Sequence, residues 1–339
     1  MARSFASVTG DPIRRLWGLW FMALLCSLQW GGWADCLAAQ SATEPPVDDL
    51  PARFEQAQRQ GAVQLGQRPV YLQSTENPER LEGEVLALID HPVQEVRAAL
   101  GQASAWCDIL ILHLNVKYCR VVRSSGSASP TEVLEVGLGR KYDEPLASAH
   151  WLRFRFRTLG PSAAAATPGE PPRPGGRLPA VELLAPEGPL DTRDIRIGVQ
   201  TVDAPGGRTL LQLRYAYAQG PAARWAMQLY LATVGRHKQG FSLMQARADD
   251  TGNPSARPVP VTGVRGLLER NTVRYYLAID AYLDALALPP AQQLERRLQD
   301  WFTATERHPA QLHELDWETY VQMKRIEVRR QQSPPPGRP

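Results

Sequence analysis

Residues 192–219 read TRDIRIGVQTVDAPGGRTLLQLRYAYAQ and contain two alternating runs on either side of a turn. Alternation of apolar and polar residues with period two is typical of a strand that buries one face. The residues Ala-Pro-Gly-Gly at 204–207 favour a tight turn, so this stretch predicts an antiparallel hairpin. Its apolar side chains would share one face: Ile195, Ile197, Val199, Leu211, Leu213, Tyr215 and Tyr217.

Further strands and helices surround this hairpin. Period-two runs predict strands at 81–90, 117–123, 133–140, 150–159 and 180–184. Helical spacing predicts helices at 92–101, from Ser104, from Pro221, and at 263–286, 291–305 and 316–330, the last with Asp316 as its N-cap. An antiparallel sheet needs a cover on one face, and we expect the helix that begins at Pro221 to supply it.

The order of these elements from residue 81 to about 241 resembles that of the START-like, helix-grip (SRPBCC) superfamily. Three stretches look like an exported proteobacterial branch of it: WCDILILHLNVKYC at 106–119, GPLDTRDIRI at 188–197 and LLQLRYAY at 210–217. The resemblance implies an α+β fold, a curved antiparallel sheet wrapped around a long helix, here with extra C-terminal helices. It also implies a cavity of the kind used for lipid transfer or by polyketide cyclases and dehydrases.

Composition and missing motifs exclude several classes of function. A net charge of +3 over 339 residues, with no basic run, argues against nucleic acid as a partner. The chain has no G-x-S-x-G, H-E-x-x-H, P-loop or C-x-x-C motif, so hydrolase, zinc protease, NTPase and redox functions lose their usual support. We therefore predict no cofactor and no metal.

The N-terminus has the pattern of a signal peptide. Arg14 and Arg15 precede an apolar run, Leu16–Trp30, that is short for a membrane span. Cleavage after Ala38 or Ala39 would give an exported, periplasmic protein, and the alternative is an uncleaved membrane anchor.

The cysteine count agrees with export. Cleavage would remove two of the four cysteines and leave Cys107 and Cys119, which we expect to form a disulfide. The alternative is a pair of buried free thiols.

The domain organisation follows from these features. Residues 1–39 would be the signal peptide, 40–80 a linker with a short helix, and 81–243 the START-like domain. The Ala-, Pro- and Gly-rich stretch at 161–178 would be a mobile loop within that domain. We expect the rest to comprise a loop at 244–262, a helical extension at 263–330 and a disordered tail at 331–339.

The inner face of the sheet is the predicted ligand site. An apolar wall with a few hydroxyl groups suits a lipid-like or aromatic molecule, although the same side chains could fill a solid core. The candidate ligand-binding residues are Trp106, Phe154, Phe156, Ile197, Leu213, Tyr215, Tyr217, Trp225 and Leu229. The opposite row of Arg153, Arg155 and Arg157 is expected to face solvent, or alternatively an anionic membrane surface.

His113, Asn115 and Lys117 alternate just before Cys119 and form a second candidate group. They could place acid–base groups in the cavity, with His113 as the weak catalytic candidate, or they could be polar residues at its rim.

Three candidate functions follow from the predicted fold and site. The first is an exported carrier of a hydrophobic small molecule or lipid, with peripheral membrane contact left open. The second is a cyclase- or dehydratase-type enzyme, and the third is an interaction protein with a filled groove.

Overall fold

The computed structural model describes residues 49–61, 63–65, 68–123, 131–159, 180–221, 224, 225, 227, 238–244 and 258–333. The predicted signal peptide, the predicted loop at 161–178 and the candidate ligand residue Leu229 lie outside this part of the chain. Among the helices it contains, none is both long enough and apolar enough to cross a membrane.

The first elements of the described part build the main sheet and the helices around it. They are α1 (Leu50–Gln60), β1 (Val63–Leu65), β2 (Arg68–Glu76), β3 (Arg80–Ile89), α2 (Val93–Leu100), α3 (Ala103–Leu110), β4 (Val116–Arg123), β5 (Glu132–Leu138), β6 (His150–Leu159), β7 (Ala180–Glu187), β8 (Thr192–Ala204) and β9 (Arg208–Gln219). The later elements are β10 (Gln239–Met244), β11 (Val259–Thr262), α4 (Gly263–Ala285), α5 (Pro290–Glu306), α6 (Pro309–Leu312) and α7 (Trp317–Gln331). Asp316 caps α7 as predicted, because its side chain accepts a hydrogen bond from the Thr319 amide.

Strands β1 to β9 form one antiparallel sheet in the order β1-β2-β3-β9-β8-β7-β6-β5-β4. Strand β3 pairs with β9, the last strand of this sheet along the chain, and helices α2 and α3 connect β3 to β4 at the other edge. A curved sheet with this order, packed against a long helix, is the helix-grip arrangement. The predicted fold class, α+β with additional C-terminal helices, is therefore confirmed.

The predicted apolar face of the sheet also forms. Ile197 pairs with Tyr215, and Val199 pairs with Leu213, so the two halves of the hairpin present these side chains together. They belong to one core cluster with Leu268, Val273 and other residues of α4. Gly83 of β3 allows α4 to approach this closely, since an added Cβ would lie 2.2 Å from Oγ1 of Thr272.

Helix α4 packs on the sheet, a position that we expected for the helix from Pro221. Helix α4 contacts β2, β3, β9 and α3, whereas we expected these residues in a C-terminal extension and the helix from Pro221 on the sheet. The segment after Pro221 is described only in part, and there Trp225 is 76% exposed. Both segments have apolar stripes at helical spacing, so the pattern alone could not decide which one packs on the sheet.

The N-terminal segment also contains more structure than a linker. A short helix forms as predicted, but β1 and β2 make a hairpin that extends the sheet beyond β3. Helix α1 covers part of the other face of the sheet, where Leu50 and Phe54 pack with Tyr71, Leu86 and Leu210. Strand β1 has only three residues and β2 lacks clear alternation, which is why periodicity did not reveal them.

The predicted disulfide is present in the structure. Cys107 of α3 and Cys119 of β4 are joined, with their Cα atoms 5.2 Å apart. The bond fixes both ends of the segment that contains His113, Asn115 and Lys117.

Candidate functional site

Most of the predicted ligand-binding residues lie in the solid core. Six of them are buried in the main core cluster: Trp106, Phe154, Phe156, Ile197, Leu213 and Tyr217. Trp225 is exposed, and Leu229 lies outside the described residues. Of the eight candidates that the structure describes, only Tyr215 contributes to the cavity described next. The arginine row Arg153, Arg155 and Arg157 lies on the exposed face of β6, as expected.

A cavity of about 890 Å³ opens beside α4. Its walls come from residues just before β4, from the β5–β6 and β7–β8 connections, from β9 and from α4. Its apolar side chains are Leu138, Pro145, Pro189, Leu190, Tyr215, Met227, Leu267 and Tyr275. This volume is within the range of small-molecule sites, about 300–1,000 Å³.

One stripe of α4 faces this cavity. Leu267, Asn271 and Tyr275 are spaced four residues apart, so they lie on the same face of the helix. All three are only partly buried, whereas residues 268–270, 272–274 and 276–279 between and beyond them are buried. The cavity therefore interrupts the contact between α4 and the rest of the molecule along this stripe.

The His113 ring lies in the cavity wall with only 4% of its surface exposed. Its Nδ1 accepts a hydrogen bond from the Asn115 amide at 3.2 Å, so a neutral ring has its proton on Nε2. Nε2 makes no hydrogen bond of ordinary geometry, although the Asn271 side chain lies close to the ring, and the ring stacks on Tyr275 with the ring centroids 5.2 Å apart. The segment thus places a buried hydrogen-bond donor at the cavity.

Burial lowers the pKa of His113 well below its ordinary value, and the charges of Arg274 and Lys324 lower it further. The nearby Asn271 side chain opposes this shift only in part. His113 is therefore neutral at pH 7. Burial likewise raises the pKa of Tyr275 to about 12, so both rings of this stacked pair are uncharged.

A group of cations surrounds one carboxylate at the edge of the cavity, and we call it the Glu314 cluster: Glu314, Lys141, Lys238, Arg270 and Arg274. The Glu314 carboxylate lies 2.7 Å from Nζ of Lys141, 2.8 Å from Nζ of Lys238 and 3.1 Å from Nη2 of Arg274. Arg270 also donates to it. Of these residues, Lys141 and Arg274 line the cavity.

The cluster shifts the titration of its own members. Burial lowers the pKa of Lys141 to about 8, although Glu314 opposes this shift. Burial alone would raise the pKa of Glu314, but Lys141, Arg274 and Lys238 together hold it well below its ordinary value. Glu314 therefore stays ionised near neutral pH.

Backbone strain marks the mouth of the cavity. Leu190 has φ +55° and ψ +42°, a left-handed conformation that costs an ordinary residue about 1–2 kcal/mol. Its side chain is 62% exposed and lies in the cavity wall. A strained, exposed leucine of this kind is more typical of a binding surface than of a structural turn.

Lys117 does not reach the cavity. It is fully buried and forms what we call the Glu327 cluster with Glu327 and Lys324. His113 and Asn115 line the cavity, so the predicted group divides between two sites. In the part of the chain that the structure describes, no group of His, Cys, Asp or Glu could hold a metal ion.

The sequence analysis missed Lys141, Asn271, Arg274 and Leu190. Tyr275 lies in the helix predicted at 263–286, and helical spacing could have placed Asn271, four residues earlier, on the same face. No local signal marks Lys141 or Leu190, because both lie in connections between strands.

Comparison with known proteins gives only distant matches. No protein-family model and no curated protein matches the chain. Among solved structures, the ZhuI aromatase/cyclase from Streptomyces sp. R1128 is similar at 14% identity and a TM-score of 0.29, over 46% of this chain and 86% of that one. A norcoclaurine synthase from Thalictrum flavum matches at 9% identity and a TM-score of 0.28, over 45% and 86%.

A protein from Arthrobacter aurescens matches at 10% identity and a TM-score of 0.26, over 48% of this chain and 81% of that one. Similarities of this size assign no family and no activity to the chain. The fold assignment rests on the strand order and on the helix packed against the sheet.

Proposed function

We propose that this protein binds an amphipathic small molecule in the cavity beside α4 and acts as a carrier. The observation that supports this function is the cavity itself, about 890 Å³ in volume and lined both by aromatic and aliphatic side chains and by polar and charged ones. A groove filled by its own side chains, as an interaction protein would have, leaves no space of this size.

The shape of the site agrees with a ligand that has an apolar body. Tyr215 and Tyr275 meet edge to face with their centroids 5.2 Å apart, and Leu267 lies two turns of α4 before Tyr275. These side chains offer apolar surface whose burial contributes about 25 cal/mol per Å² to binding. The polar groups that orient the ligand would come from His113 and Asn271.

A second candidate function is a cyclase- or dehydratase-type enzyme. The observation in its favour is His113, a buried imidazole in the cavity wall with an unpaired Nε2. In this role Nε2–H of the neutral ring would donate a hydrogen bond to a ligand carbonyl. Chemical change of a bound ligand, lost on substituting His113 by Phe, would distinguish the enzyme from the carrier.

We also propose that the protein is exported. The supports are the N-terminal pattern of Arg14, Arg15 and Leu16–Trp30 and the Cys107–Cys119 disulfide, a bond that persists in oxidising compartments. Fractionation of cells that produce the full chain tests this proposal: a mature, disulfide-bonded protein outside the cytoplasm is expected. A full-length cytoplasmic product with two free thiols would contradict it.

Native mass spectrometry of the purified protein, followed by denaturation and lipid extraction, tests the carrier function. We expect an adduct that is lost on denaturation and an amphipathic compound in the extract. The Leu267→Glu variant places a charge on the cavity wall and should lose the adduct. Leu243→Glu is the matched control, since Leu243 is 65% exposed on β10 and does not line the cavity.

A clean apo mass, together with no binding of an added amphipathic probe, would contradict the proposed function. Equal loss of the adduct in both variants would show that the cavity is not where the ligand binds.

A further inference from the structure

We infer that the cavity recognises the negatively charged head group of its ligand, a carboxylate or a phosphate monoester, through Lys141, Arg274 and Nε2 of His113. This inference rests on the proposed function and specifies the class of molecule bound. Three independent observations support it: the excess positive charge of the Glu314 cluster, the partners that the acidic residues of the cavity wall have outside that cluster, and the unpaired donor of His113.

Among the residues that the structure describes, the Glu314 cluster has more positive charge than its one carboxylate balances. Even with Arg274 left out of the count, Lys141, Lys238 and Arg270 face the single carboxylate, an excess of two positive charges. Burial raises the cost of such an excess, because charges repel more strongly where water is partly excluded. A bound anion would reduce this repulsion.

The acidic side chains in the cavity wall already have other partners. Asp143 forms an ion pair with Arg330 at 2.9 Å, and Oε1 of Glu144 accepts a hydrogen bond from the Arg140 amide at 2.7 Å. Among the described residues, neither of these carboxylates forms an ion pair with the Glu314 cluster. Asp143 is therefore balanced by Arg330, and Glu144 is held by a backbone amide and not by the cations of the cluster.

The donors are placed to hold an anion at the cavity wall. Lys141 keeps 30% of its side chain exposed, so its ammonium group can turn from Glu314 toward a ligand. Arg274 lies one residue before Tyr275 on α4. The imidazole ring of His113, which has its N–H on Nε2, stacks on the same tyrosine. Charge-assisted hydrogen bonds from such donors are about twice as strong as those between neutral groups.

The apolar body of the ligand would extend along Tyr215, Tyr275 and Leu267. A neutral ligand of the same shape would gain the same apolar contacts but would leave the excess charge of the cluster unchanged. The difference in affinity between a charged ligand and its neutral analogue is therefore the quantity that tests this inference.

The experiment measures affinities of matched ligands for the wild-type protein at pH 7. The alkyl set is dodecanoate, dodecyl phosphate and 1-dodecanol, and the aromatic pair is 2-naphthoate and 2-naphthylmethanol. We expect at least one anion to bind about tenfold more tightly than its neutral analogue. The ratio of carboxylate to phosphate affinity then identifies which head group the site prefers.

The Lys141→Gln variant provides the second measurement. Its affinity for the anions should fall about tenfold, the effect of losing one charge-assisted contact, while its affinity for the alcohols stays the same. Arg153→Gln is the matched control, because it removes one positive charge from the exposed face of β6 and should change no affinity.

The outcomes separate this inference from the proposed function. Equal affinity for the charged and neutral members of both sets, or anion binding unaffected by Lys141→Gln, would overturn the head-group inference and leave the carrier function standing. Binding of none of the five ligands would overturn the carrier function itself.

Discussion

The Glu327 cluster and the Glu314 cluster use the same chemistry in two different surroundings. Each places more than one cation on a single buried carboxylate, and each connects the C-terminal helices to the β-sheet or its connections. The first is sealed inside the protein, whereas the second borders a cavity. The comparison shows how surroundings separate a structural cluster from a candidate binding site.

The Glu327 cluster is closed and well satisfied. Nζ of Lys324 donates to the carbonyls of His113 at 2.7 Å and Val116 at 2.9 Å, and to Glu327 at 2.7 Å. Nζ of Lys117 contacts the same carboxylate at 2.9 Å. All three side chains are completely buried, so a ligand cannot reach them. The cluster attaches α7 to β4 and to the segment that precedes it.

The Glu314 cluster has the opposite character. Lys141 and Lys238 keep 30% and 25% of their side chains exposed, and two of the cations form part of the cavity wall. Its charges can therefore rearrange, and they are available to a ligand. Substitutions in the first cluster should change stability, and substitution of Lys141 in the second should change binding.

The largest expected effect comes from Glu327→Gln. This change leaves two buried ammonium groups without a counterion, which should lower the free energy of unfolding by about 3–5 kcal/mol. Urea denaturation measures the loss. The matched control is Glu295→Gln, which breaks the exposed ion pair with Arg325 and should cost less than about 1 kcal/mol. Similar losses in the two variants would show that burial does not distinguish the clusters.

Removal of the disulfide should have the next largest effect. It joins α3 to β4 on either side of His113, which contributes its carbonyl to the Glu327 cluster and its ring to the cavity. Cys107→Ser with Cys119→Ser should lower the free energy of unfolding by about 3 kcal/mol. The double variant should also lose more ligand affinity than Arg153→Gln does, because the segment between residues 107 and 119 is less ordered without the bond. An unchanged denaturation midpoint would contradict this role.

Acid should destabilise the protein through Glu314. Its pKa in the folded state lies below the ordinary value of 4.5, so its contribution to stability is present above pH 4.5 and is lost as the pH falls below it. Melting temperatures between pH 3 and 6 measure this loss. The Glu314→Gln variant should show a flatter curve over the same interval. Parallel curves for the two proteins would contradict the assignment.

Ligand affinity should fall in mild alkali. The pKa of Lys141 is about 8, so its ammonium group loses its proton between pH 7 and 9. Affinity for dodecanoate should fall up to about tenfold over this interval if the charged form provides the contact. Lys141→Arg should keep its affinity, because arginine stays charged. A wild-type protein with the same affinity at pH 7 and 9 would argue against Lys141 as a ligand contact.

The smallest effect is expected at Leu190. Asparagine tolerates the left-handed conformation better than leucine, so Leu190→Asn should raise stability by at most about 1 kcal/mol. The same change removes apolar surface from the cavity mouth and should weaken ligand binding. Leu243→Asn is the control, since it removes an equally exposed leucine far from the cavity wall and should not affect binding. Titration calorimetry and thermal melting measure the two effects.

Local periodicity was sufficient for the main strands and helices. Strand β6 was predicted at 150–159 and forms as His150–Leu159, because its alternation of buried and exposed residues persists in the structure. Periodicity could not show that α4 packs against the sheet, because more than one segment has an apolar stripe. It also could not show that β2 extends the sheet beyond β3, since strand pairing joins residues that are distant in sequence.

The sequence by itself determined the element types, the apolar face of the sheet, the disulfide partners and the class of fold. The element types and the apolar face depend on residues that are close in the chain. The fold class followed from the resemblance in element order, and the disulfide from the pair of cysteines that the proposed cleavage leaves. The tertiary structure alone decided that Phe154, Ile197 and Leu213 fill a core while Tyr215 borders a cavity. It also decided that the Lys117 side chain is fully buried and that the Lys141 side chain is partly exposed in the cavity wall. The physical reason is that free volume and excess charge arise between elements, from packing that no single segment encodes.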